Sequence, residues 1–175
     1  MPISPRVKRQ KLLEAARGYL LLDMPDHAIE QLDAIGDNGR LPFTVNQLRG
    51  ECLRQKQEYA AALGAYRKAH AEKPDDLSVL MGMAWCFKRV DRLDEAIAAM
   101  EEANRQSPNE PIIMYNLSCY FALGGNKAQA LSWLGRALRK EKSLRKLIPG
   151  ESDFDELRDD PDFQFVIGTR KVSDV

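Results

Sequence analysis

Apolar positions fall in short stripes at helical spacing along most of the chain. Between residues 77 and 107 one stripe runs Leu80, Met83, Ala84 and Phe87, and a second runs Leu93, Ala96, Ile97, Met100 and Ala103. Both follow the i, i+3, i+4, i+7 pattern that lays one face of a helix against a core. A break at Asp91-Arg92 separates them. Ser107-Pro108 closes the pair, because proline stops a helix and disfavours helix in the residue before it. The segment is predicted to be two antiparallel helices joined by a short turn.

The same arrangement recurs. Ala62, Ala96 and Ala130 stand 34 residues apart, as do Tyr66, Met100 and Leu134, Ala69, Ala103 and Ala137, and the pair Pro74 and Pro108. One period earlier the frame falls on Ala28, Leu32 and Ile35. A fixed period of this size marks a stack of equal supersecondary units. Gly50, Ala84 and Ser118 in the first helices, and the alanines at 62, 96 and 130 in the second, are expected to let helix backbones approach closely. A bulkier residue at Ala96 is expected to overpack that contact at a cost of about 1–3 kcal/mol.

This unit resembles the tetratricopeptide repeat family. Counted from residue 77, the third unit supplies Leu80, Met83, Ala84, Phe87, Ala96, Met100, Ala103 and Pro108, the residue type preferred at every marked place. The fourth supplies Met114, Leu117, Ser118, Phe121, Ala130, Leu134 and Ala137, with Lys142 where proline is usual. The second keeps Gly50, Leu53, Ala62, Tyr66, Ala69 and Pro74 but has Asn46 and Arg49 where apolar residues are usual. The first keeps Leu12, Ala15, Ala16, Tyr19, Ala28 and Leu32, and Gly36 is expected to end its second helix early. The resemblance implies an all-α, right-handed α-solenoid of four helix-turn-helix units at 9–42, 43–76, 77–110 and 111–144. A lead-in at 1–8 precedes them. A helical capping segment at 145–168 and a disordered tail at 169–175 follow.

Ser4-Pro5 reads as a helix start, serine as cap and proline in the first turn. Ser152-Asp153 and Asp160-Pro161 are predicted to open two short helices that bury Phe154, Leu157, Phe163 and Val166 on the fourth unit. A basic run from Arg136 to Lys146 is expected to face the acidic run from Glu151 to Asp162. Two placements of this acidic, Phe-bearing segment stay open: a cap on the last repeat, or an occupant of the binding groove.

Composition narrows the function. Lys plus Arg and Asp plus Glu both number 26, which argues against general affinity for nucleic acid. No apolar run is long enough for a signal core or a membrane span, so a cytoplasmic location is expected. Cys52, Cys86 and Cys119 are widely spaced, without C-x-x-C pairs, and read as packed thiols rather than a zinc or disulfide framework. His27 and His70 lie in different units, and no catalytic signature is present. No catalytic residue, metal ligand or cofactor is expected, and the chain is not expected to be an enzyme.

In the family, chosen places on each first helix line a concave groove. The resemblance places Gln47, Glu51 and Arg54 there from the second unit, Ser78, Met81, Gly82, Trp85, Lys88 and Arg89 from the third, and Ile112, Tyr115, Asn116 and Cys119 from the fourth. Gly82 is expected to leave room beside Trp85, and Arg54, Lys88 and Arg89 to form a positive rim. Some family members clamp a terminal carboxylate with a fixed set of Lys, Asn and Arg. Asn116 fits that set, whereas Met81 and Trp85 break it. The resulting expectation is a protein-interaction module, an adaptor or scaffold, holding a peptide or helix with an apolar anchor and acidic flanks. The alternatives are a dedicated chaperone for a secreted or assembling client, and a self-assembling scaffold. A homodimer is left open.

Overall fold

A computed structural model describes residues 4–36 and 43–169. The described residues form α-helices and 3-10 turns without a strand. They divide into two compact units, between Asp91 and Arg92, each described by itself.

The first unit holds five helices: α1 (Pro5–Leu21), α2 (Pro25–Asp33), α3 (Phe43–Gln55), α4 (Tyr59–Glu72) and α5 (Leu77–Arg89). α1 packs on α2, α3 on α4, and α4 on α5. Ser4 caps α1, its Oγ accepting from the Val7 N–H at 3.3 Å, so residues 5–8 of the expected lead-in are already helical. α2 ends at Asp33, and Gly36 follows at φ +74°, the early stop its position predicts. The polar departures in the second repeat are both accommodated. Asn46 is buried, and Arg49 reaches back to α2, its Nη2 donating to Asp33 Oδ1 at 2.7 Å.

Tyr66 sits at the centre of this unit, with no solvent exposure. A Cβ at Gly50 would fall 2.6 Å from its ring, and one at Gly82 would fall 2.5 Å from it, nearer the hydroxyl end. Both glycines therefore serve the close packing of α3 and α5 around one aromatic ring. This corrects the expectation for Gly82, whose missing side chain makes room for Tyr66 rather than for Trp85. The ring's hydroxyl is buried beside the Glu51–Arg54 pair without a well-formed hydrogen bond, and burial, then the Glu51 charge, pushes the phenol's pKa well up.

The second unit holds α6 (Leu93–Gln106), α7 (Pro111–Leu123), α8 (Lys127–Lys140) and, after three 3-10 turns at Lys142–Lys146, Ile148–Gly150 and Ser152–Leu157, α9 (Pro161–Ile167). α7 and α8 form a hairpin, α6 packs on α7, and α9 packs on α8. Ala96, Met100, Ala103, Leu117, Ala130, Leu134 and Ala137 are all buried, as the repeat frame predicts. Ser118 stands in the same buried row and satisfies its hydroxyl on the Tyr115 carbonyl at 2.7 Å.

Four turns share one backbone feature. Asp23, Gln57, Asp91 and Gly125 all have positive φ, and they stand 34 residues apart. In three of these turns the next N–H closes the end of the preceding helix: Met24 to Tyr19 at 2.9 Å, Glu58 to Leu53 at 2.9 Å, and Asn126 to Phe121 at 2.8 Å. This is the left-handed helix ending that satisfies orphan carbonyls.

Asp160 caps α9, its Oδ1 accepting from the Asp162 and Phe163 N–H groups at 2.9 and 3.2 Å. The predicted helix after Ser152 is a 3-10 turn capped by Glu151. Phe154 and Phe163 are buried, while Leu157 and Val166 are half-buried. The ion pairs of Asp160 and Asp162 run to Lys127, at 2.6 and 2.8 Å, which lies upstream of the basic run expected to meet them. Of the tail expected to be disordered, residues 170–175 lie outside the described residues.

Candidate functional site

The first-helix residues assigned to a ligand surface divide between the two units. In the first, the α5 stripe Leu80, Met83, Ala84 and Phe87 turns to the core, which leaves Met81, Trp85, Lys88 and Arg89 on the other faces. Trp85 is 38% exposed, although tryptophan is among the most apolar side chains by area. The Arg89 guanidinium lies 5.0 Å from its ring centroid and the Lys88 ammonium 6.0 Å. Both cations sit in range of the ring's negative face. Met81 and Lys88 are half-buried and Arg89 is exposed.

α3 contributes a polar margin. Gln47 Nε2 donates to Ser78 Oγ at the start of α5. Ser78 Oγ donates in turn to Asp76 Oδ1 at 2.7 Å, and the same carboxylate oxygen caps α5 through the Val79 N–H at 3.1 Å. Arg54 places Nε and Nη2 at 3.2 and 2.7 Å from Glu51 Oε2. The charge of Arg54 is thereby answered within its own helix. The expected positive rim is carried by Lys88 and Arg89 beside Trp85, while Glu51 and Arg54 form an internally paired edge.

In the second unit the corresponding surface is closed. Ile112 and Asn116 are half-buried, but Tyr115 and Cys119 are buried at 3% and 2% exposure. The 3-10 turn Ser152–Leu157 packs on α7 and covers them. The Phe154 ring meets Tyr115 edge to face at 6.0 Å between centroids, and Phe163 packs on Phe154 at 5.3 Å. Tyr115 and Cys119 are thus not open groove positions, because the chain's own C-terminal segment seals them. The Tyr115 hydroxyl, buried without a well-formed hydrogen bond, faces Cys119, Glu151 and Asp153, and burial first, then Cys119, pushes its pKa up.

The Cys119 thiol and the Glu151 and Asp153 carboxylates lie within 4.8 Å of one another. Sequence reasoning missed this meeting, since Glu151 and Asp153 reach α7 only through the path of the three 3-10 turns. Glu151 already has a local task there, its Oε1 accepting from the Asp153 N–H at 3.2 Å.

Helix hairpins recurring at a fixed period, with outward-facing residues on the first helices, define a repeat scaffold that presents a surface to other molecules. The tetratricopeptide repeat family model matches residues 53–117. That match agrees with the 34-residue period and the hairpin fold, so residues 53–117 carry tetratricopeptide repeats. The chain is 27% identical over 139 residues to tetratricopeptide repeat protein 21A of Mus musculus, covering 78% of this chain and 10% of that protein. It is also 27% identical over 120 residues to cellulose synthase operon protein C of Pseudomonas fluorescens, covering 64% of this chain and 9% of that one. The chain therefore spans only about a tenth of the length of these relatives. Among solved structures it superposes on MamA with a TM-score of 0.71 at 20% identity, over 79% of this chain and 81% of MamA. It superposes on YrrB, described as a TPR protein with an unusual peptide-binding site, with a TM-score of 0.72 at 18% identity, over 81% of this chain and 73% of YrrB. At these identities the likeness is one of fold.

Proposed function

We propose that the chain is a protein-interaction module that receives a peptide or helix of a partner protein on the α3–α5 face of its first unit, in an adaptor or scaffold role. The observation that carries this reading is Trp85, a large aromatic left exposed on a helix whose Leu80, Met83 and Phe87 face the core, with two cations against its ring. Aromatics so placed serve as anchors for a partner's apolar side chain. Lys88 and Arg89 favour carboxylates beside that anchor, and the Gln47–Ser78 pair offers polar contacts at the margin. The fold likeness to YrrB, a protein described by its peptide-binding site, supports the same direction.

The test uses labelled peptides in which one Phe or Leu stands between acidic residues, with lysine-flanked versions as controls, read by fluorescence anisotropy. Trp85→Ala should weaken binding at least about tenfold while leaving far-UV circular dichroism unchanged. Equal binding of acidic and basic peptides, or full binding by Trp85→Ala, would refute the assignment. The acidic peptide that binds best then serves as the competitor in a pull-down that identifies the natural partner.

A further inference from the structure

Equivalent positions on successive first helices are treated in opposite ways. Met81 and Trp85 of α5 have as counterparts, one period on, Tyr115 and Cys119 of α7. Trp85 is exposed, whereas Tyr115 and Cys119 are sealed by Phe154 and its neighbours. Phe154 is fully buried and lies in the run Glu151-Ser152-Asp153-Phe154-Asp155-Glu156, an aromatic side chain between carboxylates.

The backbone of that segment is held largely by its own residues. Glu151 caps the turn, and the Arg158 guanidinium donates to the carbonyls of Glu151 and Pro149 at 2.9 and 3.3 Å. On α7 it seats one ring, against Tyr115. A self-contained turn, one buried aromatic anchor and charged flanks are the features of a short peptide docked on a helix.

We infer that residues 151–157 are a built-in stand-in for a ligand: they hold the ligand face of the fourth repeat closed, and a partner segment of the same chemistry, an aromatic between carboxylates, takes that seat when they leave it. This rests on the reading that first-helix faces are the ligand surface. Because the segment is tethered, it competes at an effective concentration on the order of millimolar, so a free peptide meets a largely occupied face.

Cys119 reports on the seat, since it is covered only while the seat is filled, and buried Cys52 and Cys86 of the first unit serve as internal standards. The experiment measures alkylation of each cysteine by mass spectrometry in the full chain, as wild type, Phe154→Ala and Arg158→Ala. The second variant loosens the turn without cutting a cavity. The probe is a synthetic peptide of residues 150–158, with a Phe-to-Ala version as control. We expect Cys119 to react at least about tenfold faster in the variants than in wild type, with Cys52 unchanged, and we expect the probe but not its control to slow it again. Cys119 remaining as slow as Cys52 in both variants would overturn the inference. So would joint labelling of Cys52 and Cys119 in both, which marks the segment as an inseparable part of the fold, or failure of the probe to restore protection. Repeating the series in Trp85→Ala separates the two readings: re-protection of Cys119 there leaves the fourth-repeat seat standing even where binding at Trp85 has failed.

Discussion

Replacing Gly82 by alanine sets two effects of similar size against each other. Alanine is the better helix former by about 1 kcal/mol, which on its own would stabilise α5. The new Cβ, however, would lie 2.5 Å from the Tyr66 ring, well inside contact distance. The ring is already crowded by α3 as well, at Gly50, where a Cβ would lie 2.6 Å away. Overpacking of this kind costs about 1–3 kcal/mol. The expected outcome is a net loss of about 1 kcal/mol, read from the midpoint of urea unfolding followed by circular dichroism. Tyr66→Ala alone should cost about 3–5 kcal/mol, and in that background Gly82→Ala should change sign and stabilise. Gly64, exposed in α4 with nothing within 4 Å of its missing Cβ, is the control and should gain about 1 kcal/mol as alanine. A stabilising Gly82→Ala in the intact protein would refute the claim that the glycine is held by Tyr66.

Gln57 adopts φ +62° without the tolerance of glycine, so Gln57→Gly should raise stability by about 0.5 kcal/mol, while Gly125→Ala at φ +73° should lower it by about 1 kcal/mol, both read by thermal unfolding. Burial pushes the Cys52 and Cys86 thiols up to about 11, so at pH 8 both should resist a thiol reagent in the native protein and react at once in denaturant. Lys127 hydrogen-bonds to Asp160 and holds its carboxyl below the usual range, so this contribution to α9 docking is present above the unfolded carboxylate pKa and lost as pH falls through the lower folded value. Protection of the α9 amides against hydrogen exchange, taken relative to the intrinsic rate at each pH, should therefore fall below about pH 4, and an α9 whose protection is indifferent to acid would refute the role given to Lys127.

The fold was legible because a repeat states its core several times over. Ala62, Ala96 and Ala130 occupy one environment in three sequence contexts, so chance apolar spacing in any one of them is averaged away. Among the left-handed turns only Gly125 carries the residue that advertises one, since Asp23, Gln57 and Asp91 reach the same backbone without glycine. The candidate site was half legible. Position along a first helix indicates which way a side chain points, and that sufficed for Trp85. It says nothing of what a distant segment lays over that side chain, and Tyr115 and Cys119 were lost to Phe154 for that reason. Gly82 failed differently: a missing side chain reveals that something is close, but the occupant, Tyr66, comes from another helix.

The left-handed residues at 23, 57, 91 and 125 keep step with the buried alanines, and this limits how the chain can change length. One residue added inside a helix rotates everything after it by about 100° about the axis, which carries an apolar stripe round to water and leaves the closing N–H of the next turn without its carbonyl. Small insertions and deletions are thus tolerated only where no stripe follows them. Growth by a whole hairpin leaves every later residue in phase, so descendants of this sequence are expected to differ in the number of their hairpins far more readily than in the length of any one.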